Sequence, residues 1–244
     1  MANSVLASRQ GRCFLGNRCW IVTCEHGGNQ VPDAFAPLFS RYADILDSHR
    51  GWDPGALEVA KLLAGRLNAP FFFTTITRLL VDCNRSPGNP EVFSEISRKL
   101  SRQEREKIIA SHHLPHRQKV AHAVSRNLKK GYHVIHLAVH SFTPVLSGIR
   151  REAHIGLLYD SRRPPERQFC RRWQQEITHR RPDLKVRRNY PYLGTSDGLA
   201  TWLRRRYDAP VYMGIEVEIH QQLAVDQRKQ PSLASLLAQS LFVL

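Results

Sequence analysis

The chain has 244 residues, of which 42% are hydrophobic, and this length and composition are typical of one globular domain with a sizeable core. No stretch reaches the roughly 18 consecutive apolar residues of a membrane helix, and the first ten residues lack the basic head and apolar core of a secretory signal. We therefore expect a soluble, cytoplasmic protein. Five cysteines without a C-x-x-C pair argue against a disulfide framework and a thiolate zinc site.

The formal net charge of +15 raises the question of nucleic-acid binding, because neutralisation of phosphates drives such binding. The basic residues are scattered over predicted helices and adjoining loops, where a solvated arginine face explains them. Neither an RNA-reading aromatic motif nor a zinc finger accompanies them. A non-catalytic, nucleic-acid-binding protein is therefore only an alternative interpretation.

Hydrophobic periodicity and turn residues predict that strands and helices alternate along the chain. In chain order they predict a strand at 20–25, a helix from about 32, a helix at 55–68, a strand at 70–76, strand or loop at 79–82, a helix at 102–128 that Pro115 could break, a strand ending at 140, a strand at 155–159, a helix at 165–179, a strand at 185–187, a helix at 199–207, a strand at 210–219 and a helix from 232. This alternation predicts one α/β domain over residues 1–244, with helices packed on both sides of a largely parallel sheet.

Two of the predicted strands end in a histidine. Glu25-His26 follows the apolar run 20–24, and His140 follows the apolar run 133–139. Because open α/β sheets keep their functional sites at the carboxyl ends of the strands, we expect both histidines at the same sheet edge. Two convergent histidines indicate a metal site.

Six short motifs occur in an order that resembles the N-formylglutamate amidohydrolase family. They are Cys24-Glu25-His26-Gly27-Gly28-Asn29-Gln30-Val31-Pro32, Asp53-Pro54-Gly55-Ala56, Asp82-Cys83-Asn84-Arg85, His140-Ser141-Phe142-Thr143-Pro144, Gly156-Leu157-Leu158-Tyr159-Asp160 and Glu216-Val217-Glu218-Ile219. Each motif is weak alone, but the six in order over residues 18–226 make the resemblance specific at the family level. That family in turn resembles zinc carboxypeptidases and aspartoacylases, which implies a phosphorylase/hydrolase-like α/β sandwich.

The resemblance implies a zinc-dependent amidohydrolase and a role for several residues. His26 and His140 match the zinc histidines, and Glu218 matches the catalytic glutamate. Asn84 and Arg85 match a pair that holds a substrate carboxylate.

The third metal ligand is open. Carboxypeptidases place a glutamate three residues after the first histidine, where this chain has Asn29, a neutral amide. Asp53 is our choice, because a carboxylate beside two histidines completes a ligand set common in catalytic zinc sites, although it could instead cap the following helix. Glu25 is the rival, and its side chain should leave the strand on the face opposite His26 unless the strand has already ended.

Such a site could hydrolyse an amide bond. Two histidines and one carboxylate leave a zinc position open for water, whose pKa falls from about 15.7 towards roughly 7. Glu218 could take the proton of that water and later give it to the departing amine. Glu216 shares a strand face with Glu218, so it is the alternative catalytic acid or a support for it.

The arginines indicate the substrate class. Arg85 can hold a carboxylate through two parallel hydrogen bonds, with Asn84 beside it, which favours small N-acyl amino acids, N-formyl ones included. Arg150 and Arg151 could hold a second carboxylate of a glutamate-like substrate or polarise the scissile carbonyl. A carboxypeptidase-like or amidase-like hydrolase of peptides or cell-wall fragments is the alternative enzyme.

Other polar residues have structural interpretations. Asp82 and Arg85 could form an ion pair at the end of a strand. The histidines at 112, 113 and 116 lie on a basic helix and are interpreted as surface or packing residues, with His116 at most reaching the pocket. The turn-rich segment 189–198 would edge the pocket or simply join a strand to a helix that Asp197 caps.

Overall fold

One six-stranded sheet organises residues 17–244, the part of the chain that the computed structural model describes. The strands of this part are β1 (Arg18–Cys24), β2 (Phe71–Phe73), β3 (His133–Phe142), β4 (Val145–Leu146), β5 (Ile149–Arg150), β6 (Ile155–Leu158), β7 (Val186–Arg188) and β8 (Tyr212–His220). Their order across the sheet is β2-β1-β3-β8-β6-β7, while β4 and β5 form a separate antiparallel hairpin. The first four strands of that order are parallel, β6 runs antiparallel to β8, and β7 is parallel to β6. The prediction of a mostly parallel, mixed α/β sheet is confirmed.

Helices connect these strands. They are α1 (Ala36–Phe39), α2 (Ala43–Asp47), α3 (Ala56–Leu67), α4 (Arg102–Ile108), α5 (Leu114–Lys129), α6 (Pro164–Arg180), α7 (Leu199–Arg204), α8 (Gln221–Ala224) and α9 (Gln230–Leu241). Within the described residues, no helix has the length and apolarity that crossing a membrane requires. The prediction of one domain over 1–244 includes residues 1–16, which lie outside the described residues.

The long helix predicted at 102–128 is interrupted before Pro115 rather than at it. A π-helical turn over Ile109–His113 separates α4 from α5. Pro115 lies in the first turn of α5, where a missing N–H costs no helical hydrogen bond. Isolated π-helical turns are often found at functional sites. This one precedes His116 and Arg117, which contact residues of the candidate site.

The two faces of the sheet have different chemistry because successive side chains of a strand point to opposite faces. On one face, α3, α6 and α9 cover an apolar core that includes Val22, Leu137 and Val217. On the other face, α5 and α7 cover the amino-terminal halves of the strands around Ile21 and Tyr212. The carboxyl ends of that second face carry the buried polar residues.

A separate apolar cluster supports the loop that follows β2. It comprises Phe39, Leu79, Leu80, Val81, Cys83, Val92, Phe93, Ile96 and Ile108. The segment 79–82, predicted as strand or loop, is a turn followed by irregular backbone. Packing of this cluster therefore fixes an irregular segment that carries Asp82, Asn84 and Arg85 at the carboxyl edge of the sheet.

Candidate active site

The structure brings His26, Asp53 and His140 together at the carboxyl edge of the sheet. His26 lies just beyond β1, His140 lies in β3, and Asp53 precedes α3. All three residues are buried, and their potential ligand atoms lie within 4.8 Å of one another. Asp53 Oδ2 lies 2.8 Å from His140 Nδ1 and 3.3 Å from His26 Nδ1. One carboxylate oxygen of Asp53 thus faces the Nδ1 atoms of both histidines.

Asp53 is not a helix cap, so that alternative is wrong. The residue that caps α3 is Gly55, which has a positive φ of 78° and makes no side-chain capping bond. A Cβ at Gly55 would lie 2.2 Å from the Ala224 carbonyl oxygen, so the backbone here requires glycine. The Asp53 N–H donates to the His26 carbonyl at 2.9 Å, which ties the aspartate to the end of β1. The carboxylate is left to face the histidines.

Glu25 also reaches the site, because β1 has already ended at Cys24. Its Oε2 lies 3.3 Å from His140 Nε2, and its Oε1 lies 3.4 Å from His116 Nε2. Burial favours a raised pKa for Glu25, but hydrogen bonds and charge from His116 and His140 hold that pKa well below its usual range. His116 is therefore a buried contact of the site rather than a surface residue.

Asn29 does not contribute to this cluster. Its side-chain N–H donates to Asp47 Oδ1 at 2.8 Å. Of the three residues considered as third ligand, the structure thus brings Asp53 and Glu25 to His140 and leaves Asn29 apart.

Asp82 contacts the second ring nitrogen of His26, and Arg78 contacts Asp82. Asp82 Oδ1 lies 2.8 Å from His26 Nε2. The Arg78 guanidinium donates to Asp82 Oδ2 at 2.9 Å and to Asp53 Oδ1 at 3.4 Å. The sequence suggested an ion pair between the side chains of Asp82 and Arg85, but Asp82 pairs with Arg78. Arg85 contacts Asp82 through its backbone N–H, which donates to Asp82 Oδ1. A carboxylate on the second ring nitrogen fixes the orientation of a ligating histidine.

The charges at His26 and His140 are set by these carboxylates. Burial lowers the pKa of His140, but hydrogen bonds and charge from Asp53 and Glu25 outweigh it and raise the pKa well above the usual value. Burial and Arg78 lower the pKa of His26, and the carboxylates Asp82 and Asp53 outweigh them. The site therefore favours positive charge.

This donor set fits a divalent cation. Two imidazole nitrogens and a carboxylate oxygen converge. The carboxylates stabilise positive charge on the histidines, and a bound cation can supply that charge in place of the imidazole protons. Glu218 Oε2 is one of the buried side-chain atoms of the described residues that have no hydrogen-bond partner. Polar atoms of this kind are expected where a ligand or water binds.

Glu216 and Glu218 share a face of β8 but have different neighbours. Glu218 pairs in register with His140, which places its side chain on the same sheet face. A Cβ at Gly198 would lie 3.3 Å from Glu216 Oε1 and 3.1 Å from Asn84 Oδ1, which places Glu216 beside Asn84. Burial raises the pKa of Glu218 to about 7, and burial also raises that of Glu216. Glu218 therefore lies in register with His140, whereas Glu216 lies two residues earlier, near Asn84, and is still within reach of the His140 charge.

The raised pKa of Glu218 gives a pH-dependent stability in protein freed of metal by chelation. Below pH 4.5 the carboxyl is protonated in both states, and between 4.5 and about 7 only the unfolded chain ionises, so stability falls as pH rises. Above about pH 7 the full penalty, on the order of 3 kcal/mol, is present. Glu218→Gln removes it, so urea unfolding should show the variant more stable than wild type at pH 8, with little of that gain at pH 4.5. An equal gain at both pH values would contradict the buried, titrating carboxyl.

Two residues hold the backbone of Asn84 and Arg85. Arg117 was not identified by sequence patterns, and His113 was interpreted from the sequence as a surface or packing residue. Arg117 Nη1 donates to the carbonyls of Asn84 at 2.8 Å and Arg85 at 3.0 Å. His113 Nε2 lies 2.8 Å from the Arg85 carbonyl oxygen. His113 is the last residue of the π-helical turn, and Arg117 lies in the first turn of α5. Their spacing on a basic helix carries no distinctive pattern.

The side chains of Asn84 and Arg85 contact the start of α7. Asn84 Oδ1 accepts the Leu199 N–H at 2.7 Å, and Arg85 Nη1 donates to the Asp197 carbonyl at 3.0 Å. The Asp197 carboxylate accepts from the backbone and hydroxyl of Ser86. Asp197 thus fixes the loop that carries Arg85 and makes no side-chain bond to α7, for which Gly198 is the N-cap residue.

Arg150 and Arg151 lie beyond Glu218 along the sheet edge. Arg150 is exposed in β5, whereas Arg151 is buried and donates to the Tyr192 hydroxyl at 3.0 Å. Both line a cavity of about 280 Å³ together with Glu152, His154, Lys185, His220 and Gln222. The contact with Tyr192 links this cavity to the segment 189–198.

The fold and this site define an α/β hydrolase-like protein. The model of the N-formylglutamate amidohydrolase family matches residues 18–225. The chain belongs to that family, and the family supports hydrolysis of an amide bond as its chemistry. No curated protein matches the chain significantly.

Solved structures show the same fold. The gene product Atu2144 from Agrobacterium tumefaciens has 28% sequence identity and a TM-score of 0.79, and the match covers 91% of this chain and 88% of the other. The N-formylglutamate amidohydrolase from Ralstonia eutropha JMP134 has 17% identity and a TM-score of 0.69, with 94% of each chain covered. The similarity to the second structure supports the fold alone.

Proposed function

We propose that this protein is a zinc-dependent amidohydrolase that cleaves the amide bond of a small N-acyl amino acid, N-formylglutamate among the candidates. The observation that carries this proposal is the convergence of His26, Asp53 and His140 within 4.8 Å beside the buried Glu218. Membership of the amidohydrolase family supports the reaction type.

His26, Asp53 and His140 would hold the metal ion. Two histidines and a carboxylate are a common protein ligand set of catalytic zinc, and Asp82 supports His26 through its other ring nitrogen. When bound with an open position, zinc supplies Lewis acidity that lowers the pKa of water from about 15.7 to roughly 7.

Glu218 would move the proton. It lies on the face of His140, and its pKa of about 7 suits a group that must both accept and donate a proton at neutral pH. As general base it removes a proton from the attacking water, and as general acid it delivers that proton to the amine nitrogen that leaves. Burial of its carboxyl excludes competing bulk water.

Arg85 and Asn84 would position the substrate. The Arg85 side chain is 29% exposed, and the substrate carboxylate would replace the exposed Glu91 carboxylate that lies 3.4 Å from Arg85 Nη2. Arg150 and Arg151 would serve a second carboxylate. Arg151 is held by Tyr192, so Arg150 is the more available of the two.

Amine release tests the proposal. Purified protein supplemented with zinc is incubated with a panel of N-formyl and N-acetyl amino acids, and free amine is measured. We expect release from at least one substrate class and its loss after treatment with a chelator, followed by recovery when zinc is returned. Release that is unaffected by metal removal, or no release from any substrate, would contradict the proposal.

Arg85→Lys is expected to raise the KM for an N-acyl amino acid by about tenfold or more, because lysine cannot form two parallel hydrogen bonds with a carboxylate. The kcat should change less. Arg102→Lys offers a matched control, since the Arg102 side chain is 86% exposed at the start of α4 and pairs with Glu106. Michaelis profiles that show equal KM values for Arg85→Lys and wild type would exclude Arg85 as the carboxylate clamp.

A further inference from the structure

We infer that the substrate carries an anionic acyl group, of the dicarboxylic type exemplified by succinyl, and that the basic cavity beside Arg150 binds its free carboxylate. The inference rests on the proposed function and deepens it, because it assigns the second carboxylate to the acyl part of the substrate rather than to the amino acid.

Three side chains of β8 lie in a row from the proposed carboxylate clamp to the cavity. Glu216, Glu218 and His220 are spaced two residues apart and therefore point to the same face, with about 7 Å between successive members. Glu216 lies beside Asn84, Glu218 pairs in register with His140, and His220 lines the cavity. The proposed carboxylate clamp and the cavity therefore lie on opposite sides of the proposed point of cleavage.

This order assigns the two ends of the substrate. If Arg85 holds the carboxylate of the amino acid, the amide bond lies at Glu218 and the acyl group extends towards His220. Hydrolysis then breaks the C–N bond, adds the water oxygen to the acyl carbon and transfers a proton to the amine, which yields a dicarboxylic acid and a free amino acid. The cavity would hold the far carboxylate of that acid.

The cavity has an excess of positive charge and hydrogen-bond donors. Glu152 is paired with Lys185, and no carboxylate of residues 17–244 lies within ion-pair distance of the Arg150 guanidinium. His154 Nδ1 accepts the Lys185 N–H at 2.8 Å, so the proton of a neutral His154 lies on Nε2 as a further donor. Burial and the positive charge of Arg150 lower the pKa of the neighbouring His220. These donors and charges favour an anion.

The cavity also has room for more than a formyl group. A one-carbon formyl group has no atoms to place beyond the scissile carbonyl, whereas the half-open cavity offers about 280 Å³. Small-molecule pockets span about 300–1,000 Å³, so this space lies near the small end of that range and can accommodate a short chain of carbons ending in a carboxylate. The cavity thus offers both the space and the charge that a short dicarboxylic acyl group requires.

The test compares kcat/KM for four acyl derivatives of one amino acid: formyl, acetyl, succinyl, and succinamoyl, in which an amide replaces the far carboxylate. We expect the succinyl derivative to exceed the succinamoyl and formyl derivatives by tenfold or more. Arg150→Gln should reduce the succinyl to succinamoyl ratio to near one. Arg172→Gln, at an exposed position of α6, is the matched control and should keep the wild-type ratio.

The outcomes separate the two proposals. Hydrolysis of formyl or acetyl derivatives with no preference for succinyl over succinamoyl would overturn this inference and leave the proposed amidohydrolase intact. A preference that survives in Arg150→Gln would overturn the assignment of the cavity. No hydrolysis of any derivative would overturn the proposed function and this inference with it. Calorimetric titration with succinate gives a readout without catalysis, and equal binding by wild type and Arg150→Gln would also exclude the cavity.

Discussion

Glu218→Gln is expected to lower kcat for amine release by about 10²–10⁴-fold, the range that removal of a general acid–base group produces. Glutamine keeps the size of the side chain but can neither accept the proton of water nor deliver one to the amine. The KM should change less than kcat, because Glu218 lies at the histidines rather than beside Asn84. Steady-state kinetics on zinc-loaded protein measure both constants.

Glu216→Gln is the matched control for that substitution. Glu216 lies two residues earlier on the same face of β8, where its register partner is Ala138 rather than His140 and where Asn84 is a neighbour. We expect Glu216→Gln to alter KM more than kcat. If Glu216→Gln abolished turnover while Glu218→Gln retained it, the catalytic assignment of the two acids would be reversed.

Asp53→Asn is expected to lower zinc affinity by more than 100-fold, since substitution of residues that merely support metal ligands already costs about 10–100-fold. The amide keeps the shape of the carboxylate but removes the negative charge that His26 and His140 both face. Competition with a chromogenic chelator measures the affinity.

Two further substitutions decide between the candidate third ligands. Asn29→Ala should leave the affinity unchanged, because the Asn29 amide contacts Asp47. Glu25→Gln should weaken binding less than Asp53→Asn, because Glu25 faces the other ring nitrogen of His140. If Glu25→Gln released the metal and Asp53→Asn retained it, Glu25 would be the third ligand.

Local patterns predicted the fold and the convergence of the strand-end histidines. Apolar runs with turn residues at their ends located β1 and β3, and the rule that sites gather at carboxyl ends placed His26 and His140 together. The mostly parallel sheet followed from the alternation of strands and helices. These features depend on short stretches of sequence, and the sequence alone therefore predicts them.

Contacts between distant segments could not be predicted. Arg78 lies in a turn, and its pairing with Asp53 and Asp82 depends on how the loop after β2 folds back over the sheet. His116 reaches Glu25 only because the helix around the π-helical turn packs over the site. No spacing along the chain encodes these contacts.

The short end of β1 shows how one residue can change an assignment. If β1 had continued through Glu25 and His26, their side chains would have pointed to opposite faces of the sheet. The strand ends at Cys24 instead, and both side chains reach His140 or its carboxylate partner. Strand ends are set by hydrogen bonding to neighbouring strands, which sequence alone locates only to within a few residues.

The most direct test of the account is metal content and amine release in wild type and His140→Ala, with His122→Ala as a matched control at an exposed position of α5. We expect about one zinc per chain in wild type and in His122→Ala, as for a single catalytic site. His140→Ala should lose the metal together with amine release. Equal zinc content in all three proteins, or active wild type without zinc, would contradict the metal site and the mechanism built on it.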